Sequence, residues 1–379
     1  MPADHPSAAP GGGSSNRRNA IVFGLLCIFV VAGITIFTVH ARHNLRQNEE
    51  TATAAEPASH SELKTICQQP YIMFRNTALG PDYGKLAVAP LDAPDGRRYP
   101  TSLTCERVYG TADSGMCLQA IREAFPIYQA VSFNSQFQVT HIFNLPGAPS
   151  RTRVSPDGRL AAATVFIAGQ GYSGVGFSTR TSIYDLGSGA TLAGDLETFS
   201  VIKDGQPFKR ADFNFWGVTW ASDGDVFYAT LASGGIFYLV KGSLAQREMS
   251  VMRPGVECPS LSPDGGQIVF KSRSSDEHGV LWHLHVLDLK TGTERAVNES
   301  RSVDDQAEWL DSTHVLYGLP RNVAGSGSWD IWVADLDENG TPRVFIHDAA
   351  SPCVVRPGLP TARNLTSTMK PTGSATPVK

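Results

Sequence analysis

Short apolar runs, each preceded by a polar turn, recur along the second half of this 379-residue chain. Ser155-Pro-Asp-Gly158 precedes LAAATVFIA, and Ser262-Pro-Asp-Gly265 precedes QIVFKS. Ala221-Ser-Asp-Gly224 and Trp309-Leu-Asp-Ser312 precede similar runs. Gly, Pro and Asp favour tight turns, and brief apolar runs between turns are typical of buried strands. The pattern predicts repeated turn-strand units.

The units also end alike, at Asp185-Leu186, Asp288-Leu289 and Asp335-Leu336. The turn Asp and the strand-end Asp are 28, 24 and 24 residues apart, and successive turns are 66, 41 and 47 residues apart. We place an insertion in the first, long step, around residues 195–215. A unit of 40-odd residues made of short strands is typical of a propeller blade. The alternative, a β-sandwich, has no reason to repeat one turn at one offset.

Strand-like runs continue upstream, from YIMFRNT to QFQVTHIF, and suffice for about two more blades. We therefore predict an all-β fold, a six-bladed β-propeller over residues 68–356. Chain length alone also allows seven blades, at about 41 rather than 48 residues each. Together, 36 Gly and 24 Pro agree with a turn-rich protein that has few helices.

Residues 20–39 contain no charged side chain, and twenty apolar residues suffice for a helix to span hydrocarbon. We predict a transmembrane helix that acts as an uncleaved signal-anchor. The propeller would then lie outside the cytoplasm on a single-pass membrane protein. A cleaved signal peptide, ending near Val39-His40-Ala41, stays open as the alternative. Residues 1–19 are predicted to be a disordered cytoplasmic leader, 40–67 a linker and 357–379 a disordered tail.

Two cysteines, Cys105 and Cys117, stand on adjacent strand-like runs joined by a short turn. A hairpin would bring them close enough for a disulfide, which we predict. Two buried thiols or a metal site are the alternatives, and a metal site would need further ligands. The pairing of Cys67, Cys258 and Cys353 stays open, with Cys67 to Cys353 as a guess.

The Ser-Pro-Asp-Gly turns and the Asp-Leu strand ends resemble the repeats of TolB-type propellers. The segment Cys258-Pro-Ser-Leu-Ser-Pro-Asp-Gly265 is similar to that of membrane-anchored TolB-like proteins of actinobacteria. The resemblance covers about 290 residues. It implies a six-bladed propeller outside the cytoplasmic membrane that contacts other envelope proteins. The apparent anchor and the lack of an obvious N-terminal α/β domain depart from periplasmic TolB.

Motifs that would indicate chemistry are weak in this chain. Residues 169–174 fit G-x-G-x-x-G, but a strand-like run rather than a helix follows, so a phosphate site is not indicated. Residues 335–340 mimic the start of a calcium loop, but Ile346 stands where a Glu is required. No nucleophile elbow G-x-S-x-G occurs.

Scattered polar residues leave two other kinds of site open. Three histidines, His278, His283 and His285, could bind zinc only if other ligands converge on them. Catalysis on the propeller surface would require charged residues that are distant in the chain to meet in the fold, such as Arg210, Asp212, His314 and Arg321.

The candidate binding surface is an aromatic segment whose members are Phe213, Phe215, Trp216 and Trp220. Its alternative role is core packing between blades. The net charge of -4 is interspersed along the chain, which argues against nucleic acid as a partner.

From these observations we predict a non-enzymatic, monomeric binding or scaffold protein of the cell envelope. Its partner would be an envelope protein or a glycan, and no cofactor, metal or catalytic residue is predicted. The alternative is a surface enzyme, a lyase or hydrolase that acts on an envelope or extracellular polymer. A convergence of His, Arg and carboxylates at the central channel would favour the enzyme, and an uncharged or aromatic face would favour binding.

Overall fold

The computed structural model describes residues 21–26, 29–33, 35, 58–122, 125–167, 178–277, 279–321, 327–336 and 340–358. The chain divides into two compact units, Met1–Ala54 and Ala55–Lys379. In the first unit the described residues are helical. Across the described ranges, no helix has both the length and the apolar character needed to cross a membrane. The predicted transmembrane helix over 20–39 therefore has no support from these residues.

The second unit contains six β-sheets, which are the six blades of a propeller. This confirms the predicted all-β class and six blades rather than seven. Numbered in chain order, the strands of blades 1 to 3 are β1 (Tyr71–Asn76), β2 (Lys85–Pro90), β3 (Tyr99–Thr104), β4 (Arg107–Gly110), β5 (Ser114–Ile121), β6 (Ile127–Asn134), β7 (Val139–Asn144), β8 (Ala148–Val154), β9 (Leu160–Ile167), β10 (Ser178–Asp185) and β11 (Thr191–Ala193).

Blades 4 to 6 follow, after a 3-10 helix at Leu196–Thr198. Their strands are β12 (Ser200–Lys203), β13 (Gln206–Pro207), β14 (Asn214–Trp220), β15 (Val226–Ser233), β16 (Ile236–Ser243), β17 (Glu248–Pro254), β18 (Glu257–Leu261), β19 (Gln267–Asp276), β20 (Gly279–Asp288), β21 (Glu294–Ala296), β22 (Glu308–Trp309), β23 (His314–Pro320), β24 (Trp329–Asp335) and β25 (Arg343–Ile346). The last strand, β26 (Ala349–Val355), belongs to blade 1.

The last strand closes the ring. Strand β26 pairs antiparallel with β1, so blade 1 is assembled as β26-β1-β2-β3 from both ends of the propeller. One edge strand of each sheet is the inner one, which faces the central channel. These inner strands are β26, β4, β8, β14, β18 and β22. In the text below, the strands of a blade are counted outward from its inner strand. Because the ring is closed, every blade packs against a neighbouring blade on both sides.

All inner strands run in one direction along the channel. In every blade the inner strand is antiparallel to the second strand and starts beside its end. The registers Asn76↔Ala349 and Asn214↔Ala232 are examples. We call the end where the inner strands start, and where the second and third strands of each blade are joined, the hairpin face. We call the opposite end, which carries the Ser-Pro-Asp-Gly turns, the turn face.

The repeated turns have one hydrogen-bond pattern. In the first, the Ser155 hydroxyl donates to Asp157 and accepts from the backbone N–H of Leu160. In the second, Ser262 bonds in the same way to Asp264 and to the N–H of Gln267. The glycine that follows each Asp has a φ of 71° or 74°, a backbone conformation that favours glycine. This local chemistry explains why the turn recurs.

The strand-end Asp-Leu pairs combine a turn with a core contact. The Asp185 carboxylate accepts from the N–H groups of Gly187 and Ser188, which starts the next turn. Leu186 is buried and donates its N–H to the carbonyl of Arg159 beside the preceding turn. The pair therefore ties the third strand of a blade to the turn that begins its second strand.

The insertion predicted at 195–215 widens blade 4. Strand β12 pairs in parallel with β17, and β13 pairs with β12, so this sheet has six strands instead of four.

The predicted linker over residues 40–67 extends too far. Its last part forms helix α1 (His60–Ile66), which has a capping box between Ser59 and Glu62 and buries Leu63 in the propeller core. The N–H of Ala58 also donates to the carbonyl of Pro100 on blade 1. The folded unit therefore includes residue 58 onwards.

The predicted disulfide is present. Cys105 and Cys117 are bonded, with a Cα–Cα distance of 5.4 Å, and connect the start of blade 2 to its second strand. The guessed pair does not form, because Cys67 and Cys353 are both free thiols, as is Cys258. Burial raises the pKa of the Cys67 thiol to about 11, so it is protonated at neutral pH.

Candidate functional site

Equivalent residues of successive inner strands surround the channel near the hairpin face. Each stands six residues before the Asp of the turn that follows its strand, and these residues are Arg107, Arg151, Gly217, Cys258 and Asp305. The turn after the first of them, Thr111-Ala-Asp-Ser114, is a further copy of the repeat that the sequence analysis did not identify.

The inner strands bulge at this level in three blades. Gly217, Cys258 and Ser351 have φ values of 65°, 48° and 56°, and the pairing register shifts beside each of them. Bulges of this kind redirect side chains and are common next to functional sites. Here they also bring strands together, since a Cβ on Gly217 would lie 2.7 Å from the Cα of Cys258.

Below this level, one buried carboxylate joins blades across the channel. Glu308 of blade 6 accepts hydrogen bonds from the Tyr109 hydroxyl of blade 2, at 3.1 Å, and from the N–H of Val354 in blade 1, at 3.1 Å. Its other partner is Arg153 of blade 3, which also donates to Ser260 of blade 5. We call Glu308, Arg153 and Tyr109 the axial cluster.

The axial cluster is electrically balanced, and its two charged members are buried. The Arg153 guanidinium lies over the Tyr109 ring, 4.3 Å from its centroid, and both Arg153 and Glu308 are buried. Burial, followed by the nearby Glu308 carboxylate, raises the pKa of Tyr109 well above its ordinary value. Tyr109 is therefore a stable donor at neutral pH. The cluster crosses the channel, because its hydrogen bonds join blades 1, 2, 3, 5 and 6.

A small pocket lies between the axial cluster and the hairpin face. Its cavity volume is about 20 Å³, room for one or two water-sized groups. Arg107, Arg151, Arg153 and Asp305 are its charged residues, and neutral residues of blades 1, 2, 3 and 6 complete it. Each of the three arginines has a carboxylate partner, namely Asp305 for Arg107, Asp304 for Arg151 and Glu308 for Arg153.

The carboxylates around the pocket are held by nearby donors. Asp305 is buried and accepts from the N–H of Gly318 at 3.0 Å and from Arg107 Nη1 at 3.3 Å. Asp304 accepts from Lys271 Nζ at 2.5 Å and from Arg151 Nη2 at 3.4 Å. Burial opposes the ionisation of Asp304, but the two cations outweigh it and keep the pKa of Asp304 below its usual range.

Several apolar side chains on the hairpin face are exposed to solvent. Phe125 is 86 % exposed and Leu79 is 69 % exposed, both in loops that join the second and third strands of a blade. Blades 3, 4 and 5 contribute further ones at the corresponding strand ends, and the whole set is Leu79, Ile121, Phe125, Ile127, Phe166, Ile236 and Val280.

The described loops of the turn face expose no large apolar side chain. Other exposed apolar residues of the propeller lie on outer strands, namely Val139, Ile142, Leu192 and Met252. The two faces therefore differ in polarity.

Comparison with known proteins identifies the fold. TolB from Acinetobacter baumannii aligns with 75 % of this chain and 66 % of its own, at 16 % identity and a TM-score of 0.50. The chain shares its propeller fold with TolB. It spans slightly less than two thirds of that protein's length, and an identity this low shows the fold alone. The finer resemblance to membrane-anchored actinobacterial proteins is not confirmed.

Other solved structures match with lower TM-scores. A chain of the nidogen/laminin complex matches at 8 % identity and a TM-score of 0.49, over 75 % of this chain and 98 % of that one. Oligogalacturonate lyase in complex with manganese matches at 12 % identity and 0.44, over 68 % and 73 %. No protein-family model and no curated protein matches the chain.

The aromatic segment predicted as a binding surface is buried. Phe213, Phe215, Trp216 and Trp220 are between 1 % and 7 % exposed. Three of them pack in the core between blades 3 and 4, while Trp216 contacts the Phe237 ring edge to face. The binding-surface prediction is therefore wrong, and the alternative of core packing is correct. Strand β14 is an inner strand, so both of its faces are covered by neighbouring blades.

The four charged residues named for possible catalysis do not meet. Asp212 bonds to Ser233 and Gly234 at the hairpin of blade 4. His314 begins β23 and bonds to Asp311 at the turn face, whereas Arg321 follows the other end of that strand. Arg210 is exposed in the loop before β14.

The other motifs have different outcomes. Residues 169–174 and His278 lie outside the described residues, as does part of 335–340. His283 and His285 both lie on β20, and His285 Nδ1 is 2.7 Å from Glu294 Oε1. Within the described ranges, no three His, Cys, Asp or Glu side chains are grouped as a metal site would require.

The charged channel residues were missed by sequence reasoning. A signal existed in the repeat itself, because the position six residues before the turn Asp is Arg, Arg or Asp in three blades. Aligning the repeats on the turn and comparing that column would have singled out these residues.

Proposed function

We propose that this protein is a non-enzymatic binding or scaffold protein of the cell envelope whose hairpin face engages a protein partner. The observation that carries the proposal is the set of exposed apolar side chains on this face. Exposed apolar groups rimmed by polar residues are a common mark of protein-interaction sites. A TolB-like propeller fold is compatible with such a role.

Because the two faces differ in polarity, we expect the partner to dock on the hairpin face rather than on the turn face. The turn face consists of Asp, Ser, Thr and Gly turns whose polar groups are bonded to their own backbone, as in Ser155 and Asp157. The hairpin face instead presents Phe125, Leu79 and Ile236 to solvent. Covering these side chains would remove apolar surface from water and stabilise the complex by about 25 cal/mol for each Å² buried. A protein surface with its own apolar groups fits this face better than a glycan.

In the proposal, residues 20–39 anchor the chain in the membrane and the propeller lies outside the cytoplasm. The support is the uncharged twenty-residue run in the sequence, together with the disulfide between Cys105 and Cys117. Disulfides of this kind persist in oxidising compartments and are rare in the cytosol.

Photo-crosslinking in intact cells tests the proposal. A benzophenone amino acid is placed at Phe125 on the hairpin face and, as the matched control, at the exposed Lys290 on the turn face. We expect a protein to be captured from position 125 and identified by mass spectrometry, with no such product from position 290. Capture of the same protein from both positions, or of glycan or nothing from position 125, would contradict the proposal.

A surface enzyme acting on a polymer is the second candidate. The observation in its favour is the convergence of Arg107, Arg151 and Asp305 at the channel, although no histidine of the described residues lines this pocket. Turnover of an envelope polymer by the purified protein, abolished by Arg107→Gln, would establish the enzyme.

A further inference from the structure

The pocket at the hairpin end of the channel contains guanidinium groups with unused hydrogen-bond donors. Arg151 Nε is buried and has no hydrogen-bond partner. Within the described residues Arg107 makes a single hydrogen bond, through Nη1 to Asp305 at 3.3 Å. A buried N–H without a partner is destabilising, so a ligand that accepts from it would stabilise the pocket.

The remaining polar groups of the pocket are already committed. Arg153 donates hydrogen bonds to Glu308, to Ser260 and to the carbonyl of Ala307. Asp305, the only carboxylate in the lining, accepts from Gly318 as well as from Arg107. The surplus is therefore one of hydrogen-bond donors, since Arg151 and Arg153 already have carboxylate partners in Asp304 and Glu308.

Repulsion by Arg151 acts on Arg107, whereas the pKa of Arg151 itself is raised, because its burial is outweighed by the Cys258 thiol and the carboxylates of Asp305 and Asp304. Burial, and after it the nearby Arg151 guanidinium, lowers the pKa of Arg107 from its usual value. Asp305 and Asp304 offset this only in part, because the pKa of Arg107 remains lowered. An anion between the two guanidiniums would relieve both the repulsion and the unused donors.

We propose that this pocket binds a single carboxylate group, with Arg107 and Arg151 as its donors. A guanidinium presents N–H groups in a planar fork that matches the two oxygens of a carboxylate. The cavity volume of about 20 Å³ has room for a group of this size. The rest of the ligand extends toward the hairpin face, since the axial cluster lies on the other side.

This inference deepens the proposed function, because it identifies what a partner of the hairpin face would insert into the channel. Its test uses purified protein and small carboxylates, without a partner. Failure of carboxylate binding would therefore leave partner docking on the apolar loops intact, and failure of crosslinking at Phe125 would leave the pocket intact.

The experiment is saturation-transfer NMR of acetate with the full chain purified in non-ionic detergent, at constant ionic strength set by chloride. We expect a saturable signal that chloride competes for only weakly. Because a charge-assisted hydrogen bond contributes roughly 1.5–3 kcal/mol, Arg107→Gln is expected to weaken acetate binding about tenfold or more. Arg151→Gln is expected to have an effect of the same size.

Two further variants make the result decisive. Arg343→Gln makes the same change on the exposed outer strand of blade 6 and is expected to leave acetate binding unchanged. Arg107→Lys keeps the charge but removes the planar fork, and is expected to bind with intermediate affinity. If Arg151→Gln does not fold, the Arg107 variants decide, because Arg107 has one hydrogen bond to lose.

Two outcomes would overturn the inference. One is the absence of a saturable acetate signal, and the other is acetate affinity in Arg107→Gln equal to that of the unmodified protein. If acetate binds as expected, N-acetylglycine and glucuronate are compared next. Preference for the first indicates a peptide carboxylate and preference for the second a uronic acid, and both support the carboxylate site.

Discussion

Replacement of Glu308 by Gln tests whether the axial cluster holds the ring of blades together. The carboxylate accepts from Tyr109, Val354 and Arg153, which belong to blades 2, 1 and 3, while Glu308 itself belongs to blade 6. Gln has nearly the same shape but no charge. Arg153, which is 5 % exposed, would keep its charge in the interior without a counter-ion.

Removing one partner of a buried ion pair typically costs about 3–5 kcal/mol, because the other charge is left uncompensated. Single domains have a total free energy of unfolding of about 5–15 kcal/mol, so the loss is a large fraction of the whole. Tryptophan fluorescence during urea unfolding measures it, as a lower denaturant midpoint at similar slope. The double variant Arg153→Met with Glu308→Gln should recover part of the loss, since no charge is then buried.

Glu248→Gln serves as the control, because it makes the same chemical change at the partly exposed start of β17, where the carboxylate accepts only a long hydrogen bond of 3.4 Å from Ser200 and a small effect is expected. A loss below about 1 kcal/mol for Glu308→Gln would refute the reasoning, since it would mean that Arg153 is solvated or finds another anion.

Three further predictions concern other parts of the fold. Reducing the Cys105–Cys117 disulfide, or replacing both cysteines by Ala, should cost about 2–4 kcal/mol, measured by urea unfolding with and without reductant. Gly217→Ala should destabilise the protein by about 1–2 kcal/mol more than Gly234→Ala, because both have positive φ but only Gly217 faces backbone at 2.7 Å; equal thermal shifts would contradict this. Burial opposes ionisation of Asp330, but hydrogen bonding to an arginine outweighs it and lowers its pKa, so this carboxylate stabilises the fold above the unfolded-state pKa of about 3.9 and loses that effect on acidification. Asp330→Asn should therefore be less stable than the unmodified protein at pH 7, and the difference in unfolding midpoint should shrink as the pH falls below about 4.

The fold could be predicted from the sequence because its repeated turns are stabilised by residues that are close together in the chain. A Ser-Pro-Asp-Gly turn is stabilised by hydrogen bonds within five residues, as Ser155 to Leu160 shows, so it can be recognised wherever it occurs. The disulfide of Cys105 was accessible for the same reason, since its partner lies on the neighbouring strand of one hairpin.

The channel site depended on contacts that are distant in the chain. Arg153 and Glu308 are 155 residues apart, and Arg107 and Asp305 are 198 apart. No local pattern marks such a pair, because closure of the ring brings the residues together. The aromatic segment around Trp216 was misinterpreted as a surface for a similar reason, since burial of an inner strand depends on the blades at its sides.

The sequence by itself determined the repeat, the spacing of its turns and the hairpin that carries Cys105 and Cys117, because turns, strand periodicity and hairpins are specified by residues close in the chain. Tertiary structure alone decided which face is apolar, which charges converge and how small the channel pocket is. These properties arise when β26 pairs with β1 and closes the ring, which orients six inner strands around one axis.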